Sequence, residues 1–111
     1  AHLRQNYPYA EGLAEGSTVT AGDVIGYMGH TGYSTQENVN NIEVTHLHWG
    51  LQLIFDESQK EGNNEIWIDV SPLTRFLAKH TQPAAKVEGT KEWKRTIRII
   101  DPAVEEYLQE Q

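Results

Sequence analysis

Six of the nine glycines in this 111-residue chain fall between Gly12 and Gly32, in the run EGLAEGSTVTAGDVIGYMGHTG. Glycine weakens a helix interior, and here short β-branched stretches are cut by glycine at close intervals, so the run reads as short strands and tight turns. No helix fits there. The pattern predicts a strand at Thr18-Val19-Thr20, a turn at Ala21-Gly22-Asp23 and a second strand from Val24 to Met28. The following GHTGYSTQENVNN is rich in Gly, Ser, Thr and Asn, which favour turns by accepting positive φ or bonding their own backbone, and it reads as a long loop.

From Ile42 the sequence becomes IEVTHLHWGLQLIF. Period-two alternation puts Leu47, Trp49, Leu51, Leu53 and Phe55 on one face, expected to be buried, and His46, His48, Gly50 and Gln52 on the other. That second face is expected to look toward water or a site, with Gly50 leaving open space beside the histidines. After the polar stretch DESQKEGNNE, residues Ile66 to Val70 read as a strand. Ser71 is the expected N-cap of a helix with Pro72 at its first position, ending near His80. Gln82 to Thr90 reads as a linker, EWKRTIRII as a strand, and Asp101-Pro102 as the start of a short helix by the same cap-then-Pro logic. The fold class expected is mainly β, antiparallel, with one or two peripheral helices.

Composition removes several chemistries. With 9 Lys and Arg against 16 Asp and Glu, the formal net charge is −7 and no basic cluster offers itself to nucleic-acid phosphates. The absence of cysteine excludes disulfides, iron–sulfur clusters and thiolate ligands, so a metal would have to be held by His, Asp or Glu. No apolar run approaches the roughly 20 residues that span a bilayer. There is no phosphate-binding Gly-Lys-Ser/Thr loop, the Gly-rich run lacks the strand-to-helix context of a dinucleotide site, and Ser34 has no nucleophile elbow around it. The chain begins Ala1-His2-Leu3 without an initiator Met, as expected of a piece of a longer protein.

His46-Leu47-His48 is the strongest local signal. On a strand both imidazoles point to one face with Cα atoms about 6 to 7 Å apart, a spacing that suits a shared metal or one ligand beside one acid/base. His30 reads as an exposed hairpin-tip side chain, His80 as a partner for helix C-terminal carbonyls, and Asp69 as a structural residue just ahead of the helix. The acidic run from Asp56 to Glu65 lacks the ligand spacing and central Gly of an EF-hand and reads as a solvated loop.

Taken in order, the AHL segment, EGSTVTAGDVIGYMGHTGYST, THLHWGLQL and IWIDVSPLTRFL resemble the C-terminal half of a lysostaphin- or LytM-type zinc metallopeptidase domain, over residues 1 to 77. The resemblance implies an antiparallel sheet of the duplicated-hybrid-motif type, with residues 1 to 80 as the C-terminal part of a peptidase domain and 81 to 111 as a linker and short extension. It implies His48 as a zinc ligand, with His46 and His2 assisting catalysis. In such enzymes zinc polarises the scissile carbonyl and activates water while the two further imidazoles orient the water and stabilise the tetrahedral intermediate. The implied substrate is a peptide bond of bacterial cell-wall peptidoglycan, and the implied location is the cell envelope or the exterior.

Two departures accompany the resemblance. The family's other zinc ligands lie in a His-x-x-x-Asp motif upstream of the AHL segment, outside these residues, and a catalytic zinc ordinarily needs three protein ligands plus water. Thr45 stands where the family often has Pro. A second class of function is a non-catalytic LytM-like module that activates other wall hydrolases. A third, a lipoyl or biotinyl carrier, needs a modifiable Lys at a hairpin tip, and none lies between Arg4 and Lys60.

Overall fold

The computed structural model describes residues 1 to 111. Two short antiparallel two-stranded sheets and two helices make a small arrangement of antiparallel β and α structure. In the first sheet, β1 (Leu51–Leu53) pairs with β2 (Ile66–Ile68) so that Leu51 faces Ile68 and Gln52 faces Trp67. In the second, β3 (Ala84–Lys86) pairs with β4 (Trp93–Arg95), with Lys86 opposite Trp93. The helices are α1 (Ser71–Ala78) and α2 (Pro102–Gln109).

The Gly-rich run carries less ladder than its pattern predicts. Residues 25 to 31 lie antiparallel to the start of the chain through the isolated bridges Leu3 with Met28 and Tyr9 with Gly26, while Thr31 bridges Asn40 on the other side. Arg4 N–H donates to Tyr27 O at 3.0 Å and Gly29 N–H to His2 O at 2.9 Å. The approach is close enough that a Cβ at Gly29 would lie 2.5 Å from Arg4 Cα, so only glycine fits there. The expected strand at Thr18–Thr20 does not form, because Thr20 instead closes a turn in which its N–H and hydroxyl both donate to Asp23 Oδ2, at 2.9 and 3.1 Å.

The expected burial of Leu47, Trp49, Leu51, Leu53 and Phe55 is overturned. Leu47 is 51% exposed and Phe55 81% exposed, Leu51 and Leu53 are also exposed, and no hydrophobic side chain of the chain is fully buried. A period-two stripe becomes a core only when a second layer covers it, and a lone two-stranded ribbon has none. Gly50 does not leave an open space either: the Trp67 ring lies across it, 2.8 Å from where a Cβ would stand.

Helix α1 begins at Ser71 with Val70 at the cap position, and the covering acceptor is Asp69, whose Oδ1 takes the Ser71 N–H at 3.0 Å. That donated backbone hydrogen bond holds the Asp69 carboxyl below its ordinary value. Asp101 caps α2 by accepting from Ala103 N–H at 3.0 Å, ahead of Pro102. The stretch expected to be a linker contains β3, and the carbonyl of Pro83 just ahead of it accepts from Thr96 N–H across the hairpin at 3.0 Å.

That hairpin is tied to the beginning of the chain. The Arg95 guanidinium sits 3.2 Å from Asp23 Oδ1 and donates to Ala21 O at 2.8 Å and to Thr20 Oγ1 at 3.1 Å. Asp23 is held below the usual carboxylate range first by the Thr20 backbone N–H, with the Arg95 charge adding to it.

Candidate functional site

Backbone pairing places His2 beside the His-x-His segment. His48 N–H donates to Ala1 O at 3.4 Å, which lays the first residues of the chain along residues 46 to 48. The ring of His2 then stands 4.7 Å from that of His46 and 5.6 Å from that of His48, centre to centre. The three imidazoles named from the sequence are therefore brought together, although His2 is 46 positions away from His48 along the chain. His46 and His48 are exposed, whereas His2 is buried, with 6% of its surface accessible.

The hydrogen bonds determine which ring nitrogen is available. His2 Nδ1–H donates to Thr31 O at 3.0 Å, so its Nε2 carries the lone pair. That Nε2 is buried with no hydrogen-bond partner. Leaving such an atom unsatisfied costs about 1–3 kcal/mol. His46 repeats the arrangement, with Nδ1–H donating to Val44 O at 2.8 Å. A carbonyl on Nδ1 fixing a basic Nε2 is the usual preparation of an imidazole for proton transfer or metal binding.

His2 is also strained. Its φ of 64° lies in the left-handed region, which costs a non-glycine residue about 1–2 kcal/mol and persists only where surrounding contacts enforce it. Gly32, at φ 122°, wraps the same ring so tightly that a Cβ would stand 2.5 Å from His2 Nδ1. Tyr33 follows with its ring 4.8 Å from that of His2. These residues line an open groove of about 600 Å³ that runs from His2 past Tyr9 to Glu37 and Asn38. A second hollow, about 420 Å³, lies on the other side of Ala1 against His48, Trp49 and Trp67. A larger cleft, about 760 Å³ between residues 10 to 24 and 92 to 95, contains none of the histidines.

The remaining candidates fall outside the cluster. His30 is exposed as expected, but both of its nitrogens are engaged: Nδ1–H donates to Ile42 O at 2.8 Å and Nε2 receives the Thr45 hydroxyl at 3.1 Å. It staples the loop to the residues just ahead of His46, a role that its loop-forming neighbours conceal in the sequence. His80 Nδ1–H donates to Phe76 O at 2.8 Å at the end of α1 and stacks on the Phe76 ring. Tyr33 and Gly32 were not singled out from the sequence, and the only signal for them was their place in the Gly-rich loop.

Zinc fits this donor set only in part. The basic nitrogens are of the right type, but no group of three or more His, Asp or Glu side chains is placed to hold a metal ion. A zinc ion at the cluster needs ligands that these residues do not bring there. No helix is long and apolar enough to cross a membrane. No protein-family model, curated protein or solved structure matches the chain.

Proposed function

We propose that these residues are the C-terminal part of the catalytic domain of a zinc-dependent endopeptidase, with a LytM-type sheet, that cleaves peptide bonds of bacterial peptidoglycan in the cell envelope or outside the cell. The observation that carries the proposal is the burial of His2 against His46 and His48, with an unpartnered basic nitrogen held in place at the cost of strain. A bare, basic Nε2 beside a second imidazole is what a group that takes a proton from water requires. In this reading His2 and His46 are the assisting histidines, His46 exposed and His2 buried beside it, and His48 is the chain's contribution to the metal. The groove beside Tyr33 opens next to His2, on the side away from His48.

The shortage of metal donors favours a second reading, a LytM-like module without catalysis that binds or activates other wall hydrolases. Zinc calorimetry together with clearance of purified peptidoglycan separates the two. The 111 residues alone are expected to bind zinc weakly and clear little. Joined to whatever its reading frame encodes ahead of Ala1, the chain is expected to bind one zinc and to clear peptidoglycan, with His48→Ala losing the metal and His46→Ala keeping it without turnover. Zinc bound by the joined chain with no clearance favours the regulatory module.

A further inference from the structure

The β3–β4 hairpin lies beyond the part of the chain that resembles a peptidase, yet its contacts lead to His2. Glu92 collects three of them: Oε2 accepts from the Tyr27 hydroxyl at 2.8 Å and from Glu11 N–H at 3.0 Å, and Oε1 stands 3.7 Å from the Arg4 guanidinium. Arg4 also donates to Lys91 O at 3.3 Å and to Tyr7 O at 2.8 Å, and its guanidinium lies over the Tyr27 ring at 4.2 Å. The Tyr27 hydroxyl in turn accepts Trp93 N–H at 2.9 Å. Arg4 and Tyr27 face each other across the backbone pairing that, one step further on, joins His2 O to Gly29 N–H.

We propose that Glu92 is a positioning residue for His2, acting from the C-terminal hairpin through Arg4 and Tyr27. His2 sits two residues from Arg4 in a left-handed backbone conformation that relaxes unless its neighbours are pinned. The pins on one side are Thr31 and Gly32, inside the loop. On the other side they are the backbone bonds of Ala1 with His48, of His2 O with Gly29 N–H and of Leu3 O with Thr31, and, one residue further, Arg4 and Tyr27, both held by Glu92. The carboxyl of Glu92 lies below its ordinary value chiefly because the Glu11 backbone N–H donates to it, so it is charged toward Arg4 at neutral pH. Detaching Glu92 leaves the bonds at Ala1, His2 and Leu3 in place and loosens only the Arg4–Tyr27 end of that pairing, so the His2 ring gains a second orientation without unfolding.

This inference rests on the proposal that the His2 imidazole is a working group, but its test reads the ring itself, so its outcome is independent of whether peptidoglycan is the substrate. Long-range proton–nitrogen NMR spectra of the full 111-residue chain report the tautomer of each histidine. In the wild type, His2 is expected as a single species protonated on Nδ1. Glu92→Ala is expected to add a second His2 species to it, with His80 unchanged on α1. Glu92→Gln, which keeps an oxygen for Tyr27 and Glu11, is expected to restore most of the single species, and Tyr27→Phe to fall between the two. Unchanged His2 signals in Glu92→Ala overturn the proposal. So does a change in which His2 and His80 move together in all three variants, since that is a loss of structure without any specific link to His2.

Discussion

Two polar side chains of this chain are buried to almost the same degree, Gln59 at 7% and His2 at 6% accessible surface, and their surroundings are opposite. Gln59 lies in the turn after β1, where Asp56 opens a 3-10 helix over Glu57–Glu61. Its Oε1 accepts from Phe55 N–H at 2.7 Å and Asp56 N–H at 3.1 Å, and its Nε2 donates to Asn64 O at 2.8 Å. Asp56 answers by accepting from Ser58 N–H, which with the Gln59 bond to Asp56 N–H makes a capping box, and Gly62 closes the turn at the other end. The site around His2 uses one ring nitrogen and leaves the other bare in a strained backbone. Gln59 has its partners in place and holds its turn together, whereas His2 Nε2, like Gln52 Nε2, is buried without one.

Four substitutions or conditions break or sharpen this contrast. The largest effect is expected from Gly32→Ala, because the new Cβ meets the His2 ring and the backbone there is left-handed. Overpacking of this kind costs about 1–3 kcal/mol, with roughly 1 more for the positive φ. Urea unfolding followed by tryptophan fluorescence should move to a lower midpoint, and the His2 resonances should shift before those of His80.

Gln59→Ala comes next, since it strands two backbone N–H groups that have no other acceptor and is expected to cost about 1–3 kcal/mol. Amide exchange at Phe55 and Asp56 should quicken while His2 is unaffected. His2→Phe is expected to change stability by no more than about 1 kcal/mol, because the lost bond to Thr31 O is offset by removal of the bare Nε2. A fall comparable to that of Gln59→Ala would show that the two buried groups do the same work.

The smallest effect concerns pH. Asp23 has a folded pKa below its unfolded value, so the stability it contributes is present above the ordinary aspartate pKa of about 3.9 and disappears as pH falls through the lower folded value. Acidification below about pH 4 should therefore loosen Arg95 from residues 20 to 23. Asp23→Asn should flatten that part of the acid transition, as read by the fluorescence of the neighbouring Trp93.

The sequence made the local chemistry legible and the long-range packing much less so. Helix α2 starts where Asp101-Pro102 says it should, and α1 begins within a residue of the expected cap, because caps and prolines act on their immediate neighbours. The strand from Ile42 was read too long. Only Leu51–Leu53 has a ladder partner, since hydrogen-bonded pairing depends on what lies alongside, which periodicity does not encode. The exposure of Leu47 and Phe55 has the same origin. His2, by contrast, was reachable only through the order of motifs along the chain, and its bare nitrogen, its strain and its tether to Glu92 have no signature in residue type or spacing.

The central claim is that His2 and His46 are prepared for peptide hydrolysis at a metal that His48 helps to hold. It is tested most directly by incubating purified peptidoglycan with zinc and the chain joined to its upstream reading frame, and counting newly exposed amino termini in the wild type, His2→Phe and His46→Ala. The account predicts new termini from the wild type and none from either variant, with one zinc retained in all three. New termini released equally by the wild type and both variants would contradict it.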